Sequence, residues 1–234
     1  MMDAMRQTLE AGLPELGLEL TPEQITKLCD FGRAVVKQNE VMNLTAITEA
    51  AQVARLHLLD SLTVLTAADL AGKRLIDVGC GAGFPGVPLA IGCPEAKITL
   101  LDSLGKRVHW LEEILPTLGV TAECVTARAE EAVADRRESY DFATSRAVAR
   151  LNILLELTAP YVKVGGMVIA MKGAAAQEEL AECSSAIKKL GLKLEEVRRF
   201  PMDGTSHSLI LLRKVSPTPK QYPRRYAKIK QAPL

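Results

Sequence analysis

The feature that most constrains the fold is a glycine-rich loop between a predicted strand and a predicted helix. A short apolar run ends at Asp77-Val78, and glycines follow at positions 79, 81, 83 and 86. Glycine permits a positive φ and lets a ligand contact the main chain. The next segment, 87–91, predicts a helix start, because Pro88 is tolerated only in a first turn. Strand, loop and helix N-terminus together predict a site for an adenosine cofactor, with amide N–H groups directed at the ligand.

Two overlapping patterns in this loop predict different cofactors. Gly81-x-Gly83-x-x-Gly86 matches the dinucleotide fingerprint, with Asp102 near the expected downstream acid. The longer pattern, Asp77-x-Gly79-x-Gly81-x-Gly83, resembles the first motif of class I S-adenosylmethionine (AdoMet) methyltransferases. Asp102 follows a second apolar strand and would accept the ribose hydroxyls in either fold. We favour AdoMet, because no tyrosine-lysine or histidine-acid pair for hydride transfer stands out; a nicotinamide-dependent oxidoreductase remains the alternative.

From residue 73 onward, strand and helix patterns alternate and predict an α/β fold. The predicted strands are 73–78, 97–101, 121–125, 140–144 and 166–171, with helices near 86–92, 105–116, 151–159 and 175–190. Two further strand segments, 193–199 and 206–213, follow each other without a helix, which predicts a closing antiparallel pair. The expected architecture is a Rossmann-like class I AdoMet-dependent methyltransferase fold, with a seven-stranded, mostly parallel sheet and a C-terminal antiparallel hairpin.

The N-terminal region lacks a strand pattern and predicts helices. Thr21-Pro-Glu-Gln24 is a capping box with proline at the first helical position, so a helix is expected from there to about Lys37. We therefore predict three parts, namely an N-terminal helical extension (1–70), an AdoMet-binding methyltransferase domain (71–215) and a basic tail (216–234).

Charge is distributed unevenly along the chain, although the net charge is only +1. Residues 213–234 hold seven cations and no acid, which leaves 22 cations against 28 acids in residues 1–212, a net charge of −6. Two tyrosines, Tyr222 and Tyr226, alternate with the cations of the tail. Cations that meet phosphates and rings that stack on unpaired bases are typical of single-stranded RNA binding. A solvated, partly disordered terminus is the alternative interpretation.

Composition predicts a cytoplasmic protein without a metal or membrane partner. No run approaches the roughly 18 apolar residues of a membrane span, and the N-terminus shows no signal-peptide pattern. The five cysteines are odd in number and form no C-x-x-C pair, so neither a disulfide framework nor a zinc site is expected. We expect a monomer.

Several motifs resemble those of the bacterial 16S rRNA (guanine-N7) methyltransferase G family, also called glucose-inhibited division protein B. That family methylates guanine N7 in the 530 loop of 16S rRNA with AdoMet. The matching elements follow the family's order and are Asn43-Leu-Thr-Ala-Ile-Thr48, His57-Leu-Leu-Asp-Ser-Leu62, the 77–86 loop, Leu101-Asp-Ser103 with Lys106-Arg107, Arg128-Ala-Glu130, Ser145-Arg-Ala147, Lys172-Gly173 and the tail from Tyr222. One departure is Tyr226-Ala-Lys-Ile-Lys, where the family usually continues with proline, glycine and lysines.

The loop pattern and the resemblance together imply a set of site residues. Expected at the cofactor are Asp77, Gly79, Gly81, Gly83, Phe84, Asp102, Ser103, Leu104, Ala129, Glu130 and Arg146. Expected at the RNA, which is 16S rRNA or a small-subunit ribonucleoprotein particle, are Lys172, Arg224, Arg225, Lys228 and Lys230. Guanine N7 already carries a lone pair, so catalysis is expected to be mostly positioning, with Arg146 between cofactor and target. His57 is interpreted as a satisfied helix histidine, and His207 shows no partner in the sequence pattern.

Two other functions remain open at this point. The chain could methylate a different RNA, or it could be a non-catalytic RNA-binding module that keeps an idle cofactor fold. The intact glycine loop and Asp102 argue against the second of these.

Overall fold

A computed structural model describes residues 4–202 and 204–234 of the chain. Its centre is one seven-stranded sheet in the order β3-β2-β1-β4-β5-β7-β6. The strands are β1 (Arg74–Val78), β2 (Lys97–Asp102), β3 (Glu123–Thr126), β4 (Tyr140–Arg146), β5 (Val162–Lys172), β6 (Leu192–Met202) and β7 (Thr205–Lys214). The first five strands run parallel to their neighbours in the sheet. Strand β7 pairs antiparallel with both β5 and β6. The predicted fold class is confirmed.

Helices cover both faces of the sheet. They are α1 (Ala4–Glu15), α2 (Pro22–Met42), α3 (Ala50–Val53), α4 (Asp60–Ala67), α5 (Gly86–Gly92), α6 (Gly105–Thr117), α7 (Ala129–Ala132), α8 (Leu151–Thr158), α9 (Ala176–Ala181), α10 (Ser184–Lys189) and α11 (Tyr226–Gln231). A π-helical turn, Ala54–Leu59, joins α3 to α4, and a 3₁₀ turn, Ala159–Tyr161, follows α8. The single helix predicted over 175–190 is two short helices separated at Glu182 and Cys183.

The capping box predicted for α2 is present. Thr21 Oγ1 accepts from Gln24 N at 3.2 Å, and Gln24 Oε1 accepts from Thr21 N at 2.8 Å. Gln24 also donates through Nε2 to the carbonyl of Ile91 at 2.9 Å. The same side chain therefore starts α2 and ties it to the end of α5. The helix continues to Met42, beyond the predicted end, and stops where Asn43 adopts a left-handed conformation with φ 49°.

Two hydrophobic clusters hold the layers together, one on each face of the sheet. The first combines residues of α1, α2 and α4, such as Leu9, Leu28 and Leu62, with Leu75 of β1 and Leu100 of β2. The second contains residues of α8 and α10 and the other face of β1 and β4. Burial on both faces explains why the parallel strands are almost continuously apolar. The described N-terminal helices thus share a core with the sheet.

The basic tail is packed against the protein rather than forming a free arm. Tyr222 and Ile229 are buried, and α11 contacts α8. Arg224 donates through Nε and Nη2 to the carboxylate of Glu156 at 2.9 and 2.6 Å. Glu156 is fully buried, so this bidentate pair anchors the tail to α8. The sequence pattern of prolines and cations did not predict this helix.

Candidate active site

A cavity of about 520 Å³ lies where the carboxyl ends of β1, β2 and β4 meet. The order β2-β1-β4 makes this the point at which the chain reverses its direction along the sheet. Open α/β sheets bind ligands at such a point, outside the carboxyl ends of the strands. The volume is within the range of small-molecule sites, roughly 300–1,000 Å³. We call it the cofactor cavity.

The glycine loop forms one wall of the cofactor cavity, and its backbone requires glycine. Gly79, Gly81 and Gly83 have φ values of 75°, 56° and 93°. A Cβ on Gly79 would lie 2.4 Å from Val148 Cγ2, whereas a Cβ on Gly81 would meet only Arg107 Nη1, at 3.8 Å. Gly79 and Gly81 line the cavity. Gly83 instead faces the core, where a Cβ would lie 2.7 Å from Val87 Cγ2.

Asp77 lies behind this wall, at the end of β1. It is fully buried and is not among the residues that line the cavity. Its Oδ2 accepts from Gly86 N at 2.8 Å and so fixes the end of the loop. Its Oδ1 has no hydrogen-bond partner among the described residues. Burial raises the pKa of Asp77 to about 7, against the opposing effects of the Gly86 hydrogen bond and Arg146.

Asp102 ends β2 and forms the floor of the cavity with Ser103 and Leu104. Its Oδ2 accepts from Gly81 N at 2.9 Å, and its Oδ1 accepts from Leu104 N at 2.8 Å. A carboxylate has about four lone-pair sites, so two remain for other donors. Asp102 therefore orders the glycine loop and can still accept from a pair of ribose hydroxyls.

The predicted adenine side also borders the cavity. Ala129 and Glu130, at the start of α7, line it together with Ala127 and Arg128. Tyr161 donates from its hydroxyl to the carbonyl of Ala129 at 2.6 Å, which holds this segment against the second core cluster. The loop after β3 is thereby fixed at one end of the cavity.

Arg146 ends β4 at the opposite side of the cavity and is held by the N-terminal region. Its Nη1 donates to Asp60 Oδ2 at 3.0 Å and to the carbonyl of Leu56 at 3.1 Å. The guanidinium carbon also lies 5.0 Å from the ring centre of Phe84, which lines the cavity. The side chains of Asp60 and Arg146 are only 5% and 17% exposed. The π-helical turn contributes the Leu56 carbonyl, in line with the frequent occurrence of such turns at functional sites.

Two histidines have roles that the sequence pattern did not predict. His57 lines the cavity, stands 4.9 Å from the ring centre of Phe84, and its Nε2 lies 2.8 Å from Thr45 Oγ1. Burial, followed by the charge of Arg146, lowers the pKa of His57 to about 4, so the ring is neutral at neutral pH. His207 does have a partner, since its Nδ1 lies 2.8 Å from Asp60 Oδ1. That hydrogen bond raises the pKa of His207.

His57 and Tyr226 line the cavity although the sequence did not place them there. The sequence pattern predicts Tyr226 in the basic tail and His57 as a satisfied helix histidine, and neither prediction puts the side chain at the cofactor. The only signal in the sequence was that both segments belong to the motifs that resemble the methyltransferase G family.

The predicted RNA-binding cations differ in their surroundings. Lys172 donates to Glu179 Oε2 and to the carbonyl of Ala149, both at 2.7 Å, and Arg224 is held by Glu156. Three others, all on or beside α11, have exposed side chains without a hydrogen bond or ion pair to any described residue; they are Arg225, Lys228 and Lys230. Of the five predicted RNA-binding cations, only these three have side chains without a partner in the described structure.

Three features fit AdoMet to the cofactor cavity: the open side of Gly81, the remaining acceptor capacity of Asp102 and the unpaired oxygen of Asp77. Together with the sheet order they define a class I AdoMet-dependent methyltransferase. The sequence model of the family described as rRNA small subunit methyltransferase G matches residues 24–208. The chain belongs to that family, and the nicotinamide-dependent alternative is set aside.

Similar proteins cover the whole chain. A protein of Pelotomaculum thermopropionicum named Ribosomal RNA small subunit methyltransferase G is 41% identical over 239 residues, which span 100% of both chains. A protein of the same name from Alkaliphilus metalliredigens is 42% identical over 226 residues, 94% of this chain and 95% of that one. The structure of M. jannaschii TYW2 in complex with AdoMet is similar in fold, with a TM-score of 0.52, 14% identity and coverage of 62% and 70%.

The described residues show neither a metal site nor a membrane span. In ranges 4–202 and 204–234, no group of three or more His, Cys, Asp or Glu side chains could hold a metal ion. No helix in the same ranges is long and apolar enough to cross a membrane.

Proposed function

We propose that this protein transfers a methyl group from AdoMet to N7 of a guanine in the 530 loop of 16S rRNA. The full-length similarity to proteins named Ribosomal RNA small subunit methyltransferase G carries the proposal. The target atom is the one implied by the motif resemblance. A small-subunit ribonucleoprotein particle is the proposed substrate, and the cytoplasm, where ribosomes assemble, is the proposed location of a monomeric enzyme.

The cofactor is proposed to lie along the glycine loop. AdoMet supplies a methyl group that is already activated on a sulfonium. Gly79 and Gly81 let the ligand approach the main chain, and Asp102 accepts from the ribose hydroxyls. Ala129 and Glu130 bound the adenine end. Asp77 and Gly83 support the loop from behind, and Asp77 Oδ1 accepts from a water molecule that links it to the ligand.

At the reacting end, the residues of this chain are proposed to position rather than to exchange protons. The guanine N7 lone pair requires no base. Arg146 is fixed by Asp60 and forms the wall at the end of β4. His57 is neutral because its pKa is about 4, so it adds no positive charge beside a reaction in which positive charge moves onto the purine. Holding the reactants in line supplies much of the rate enhancement.

The RNA is proposed to be held by cations around the mouth of the cofactor cavity. Arg107 and Arg128 line the cavity, and neither side chain has a hydrogen bond or ion pair to the described residues. Tyr226 brings the first turn of α11 to the same mouth, so Arg225 and Lys228 are presented from an anchored helix. Phosphate contacts by such exposed cations provide affinity that depends on salt.

Transfer of a labelled methyl group from AdoMet to isolated small and large ribosomal subunits tests this function. The proposed function predicts label in the RNA of small subunits from cells that lack the enzyme. Label in protein, in the large subunit alone or in no component would contradict it.

A further inference from the structure

A second cavity, of about 490 Å³, adjoins the cofactor cavity. The two cavities share four lining residues: Leu44, His57, Arg146 and Ala147. Ala147 has a φ of 57°, a conformation that costs a residue with a Cβ about 1–2 kcal/mol. Such backbone strain is typical of residues at functional sites. Because the two cavities share these lining residues, a ligand in the second cavity would lie directly beside the reacting end of the cofactor cavity.

An ion pair forms part of the wall of the second cavity. Lys172, the last residue of β5, and Glu179, on α9, have side chains that are only 8% and 13% exposed. Glu179 Oε2 accepts from Lys172 Nζ at 2.7 Å and from Leu151 N at 2.6 Å. Glu179 Oε1 has no hydrogen-bond partner among the residues that the structure describes. Removing two charges from water is rarely favourable for stability alone, which makes a ligand-binding role the better explanation.

A cation beside a free carboxylate oxygen is complementary to one edge of guanine. Guanine carries the acceptor O6 next to two donors, N1–H and the exocyclic amine, whereas adenine carries a donor where guanine has O6. Enzymes that modify a base commonly move it out of the stack into a pocket that reads this edge. Lys172 Nζ supplies the donor, and Glu179 Oε1 supplies the acceptor.

We propose that the second cavity binds the target guanine, with Lys172 donating to O6 and Glu179 accepting from N1–H and the exocyclic amine. This assignment rests on the proposed function, and it adds the residues that select guanine. Arg146 and His57, which line both cavities, then flank the passage where the base meets the reacting end of the cofactor. Lys172 is assigned to the base rather than to a phosphate.

The first test changes the substrate and leaves the protein intact. Small subunits are reconstituted from 16S rRNA that carries guanine or inosine at the target position. Inosine keeps O6, N1–H and N7 but lacks the exocyclic amine. We expect kcat/KM of the wild-type protein to fall about 10-fold with inosine, because Glu179 loses one donor. Equal rates on the two particles would overturn this assignment alone, whereas no methylation of the guanine particle would overturn the proposed function and this assignment with it.

The second test changes the carboxylate. Glu179→Gln keeps an acceptor for Leu151 N, and kcat/KM on the guanine particle should fall on the order of 10- to 100-fold while AdoMet affinity is unchanged. Glu178→Gln is the matched control, since Glu178 lies on the same helix but is exposed and pairs with Arg150. Replacing guanine by inosine should lower the kcat/KM of Glu179→Gln only slightly further, because this variant has already lost the carboxylate that accepts from the exocyclic amine. The role of Glu179 is rejected if the losses of kcat/KM from Glu179→Gln and from inosine simply add. It is also rejected if Glu179→Gln and Glu178→Gln are equally active.

Discussion

Asp77 shows how burial and function are connected at the scale of one residue. It accepts from Gly86 N and keeps one oxygen without a partner among the described residues. Burial raises its pKa from 3.8 to about 7 in the ligand-free protein. Folding therefore favours the protonated form of this side chain. A cation at the site would favour the ionised form instead.

The first prediction concerns the pH dependence of stability. Because the folded-state pKa of Asp77 is raised, its contribution to stability is fully present below about pH 4 and is lost as the pH rises through about 7. Asp77→Asn removes this titration and still offers an oxygen to Gly86 N. Urea unfolding of both proteins at intervals from pH 4 to 8 should show a smaller decline of the unfolding free energy for the variant. Parallel pH profiles would show that Asp77 ionises normally.

The second prediction concerns the glycine that faces the cofactor cavity. Gly81→Val should abolish most AdoMet binding, because its side chain would project into the open space beside Arg107. Gly72→Val is the matched control, since Gly72 has a similar φ of 69° and no atom near its Cβ position. Both variants should lose on the order of 1 kcal/mol of stability from the left-handed backbone. Calorimetric titration with AdoMet separates them, and equal affinities would refute the placement of the cofactor.

At the scale of elements, Asp60 joins the N-terminal helices to β4 and β7. Its two carboxylate oxygens accept from Arg146 and His207. The third prediction is that Asp60→Asn lowers the free energy of unfolding by about 3 kcal/mol, because it leaves Arg146 without its charge partner. Asp30→Asn, in the exposed pair with Arg33, should cost under about 1 kcal/mol. Denaturant unfolding measures both, and similar losses would contradict this role of Asp60.

The tail helix leads to a fourth prediction, on salt dependence. Lys228→Ala should reduce the slope of log affinity against log salt for small subunits by about one unit, because one phosphate contact is lost. Lys193→Ala is the control, since Lys193 is exposed on the edge strand β6, where it pairs with Arg213 of β7 on the side of the sheet away from the carboxyl end of β5. AdoMet affinity should be unchanged in both variants. An unaltered slope for Lys228→Ala would mean that α11 does not contact RNA phosphates.

Elements with a local sequence signature were predicted, and those that depend on distant contacts were not. The glycine loop, the seven strands and the α2 capping box follow from periodicity and cap residues within a few positions. The α11 helix is stabilised by Glu156, which lies 68 residues away from Arg224. The Lys172–Glu179 pair and the Asp60 contacts likewise join separate elements. Sequence patterns could not predict such pairs, because periodicity reports the face of an element and not its partner.

At the scale of the whole molecule, the described N-terminal helices, the sheet and the tail form one packed structure around two adjoining cavities. The N-terminal region contributes Thr45, His57 and Asp60 to the walls, and the tail contributes Tyr226. The division into parts at residues 70 and 215 stays a prediction, and residues 1–3 of the first part lie outside the described structure. Cofactor, base and RNA contacts are proposed to require all three parts together.

The most direct test of the account is to locate N7-methylguanine in 16S rRNA from cells with and without the gene. Borohydride reduction followed by aniline cleavage breaks the RNA at this modified base. We expect one cleavage in the 530 loop that disappears without the gene and returns with the wild-type protein, but not with Gly81→Val. Cleavage that persists without the gene, or a gene-dependent methyl group on another atom or another RNA, would contradict the central claim.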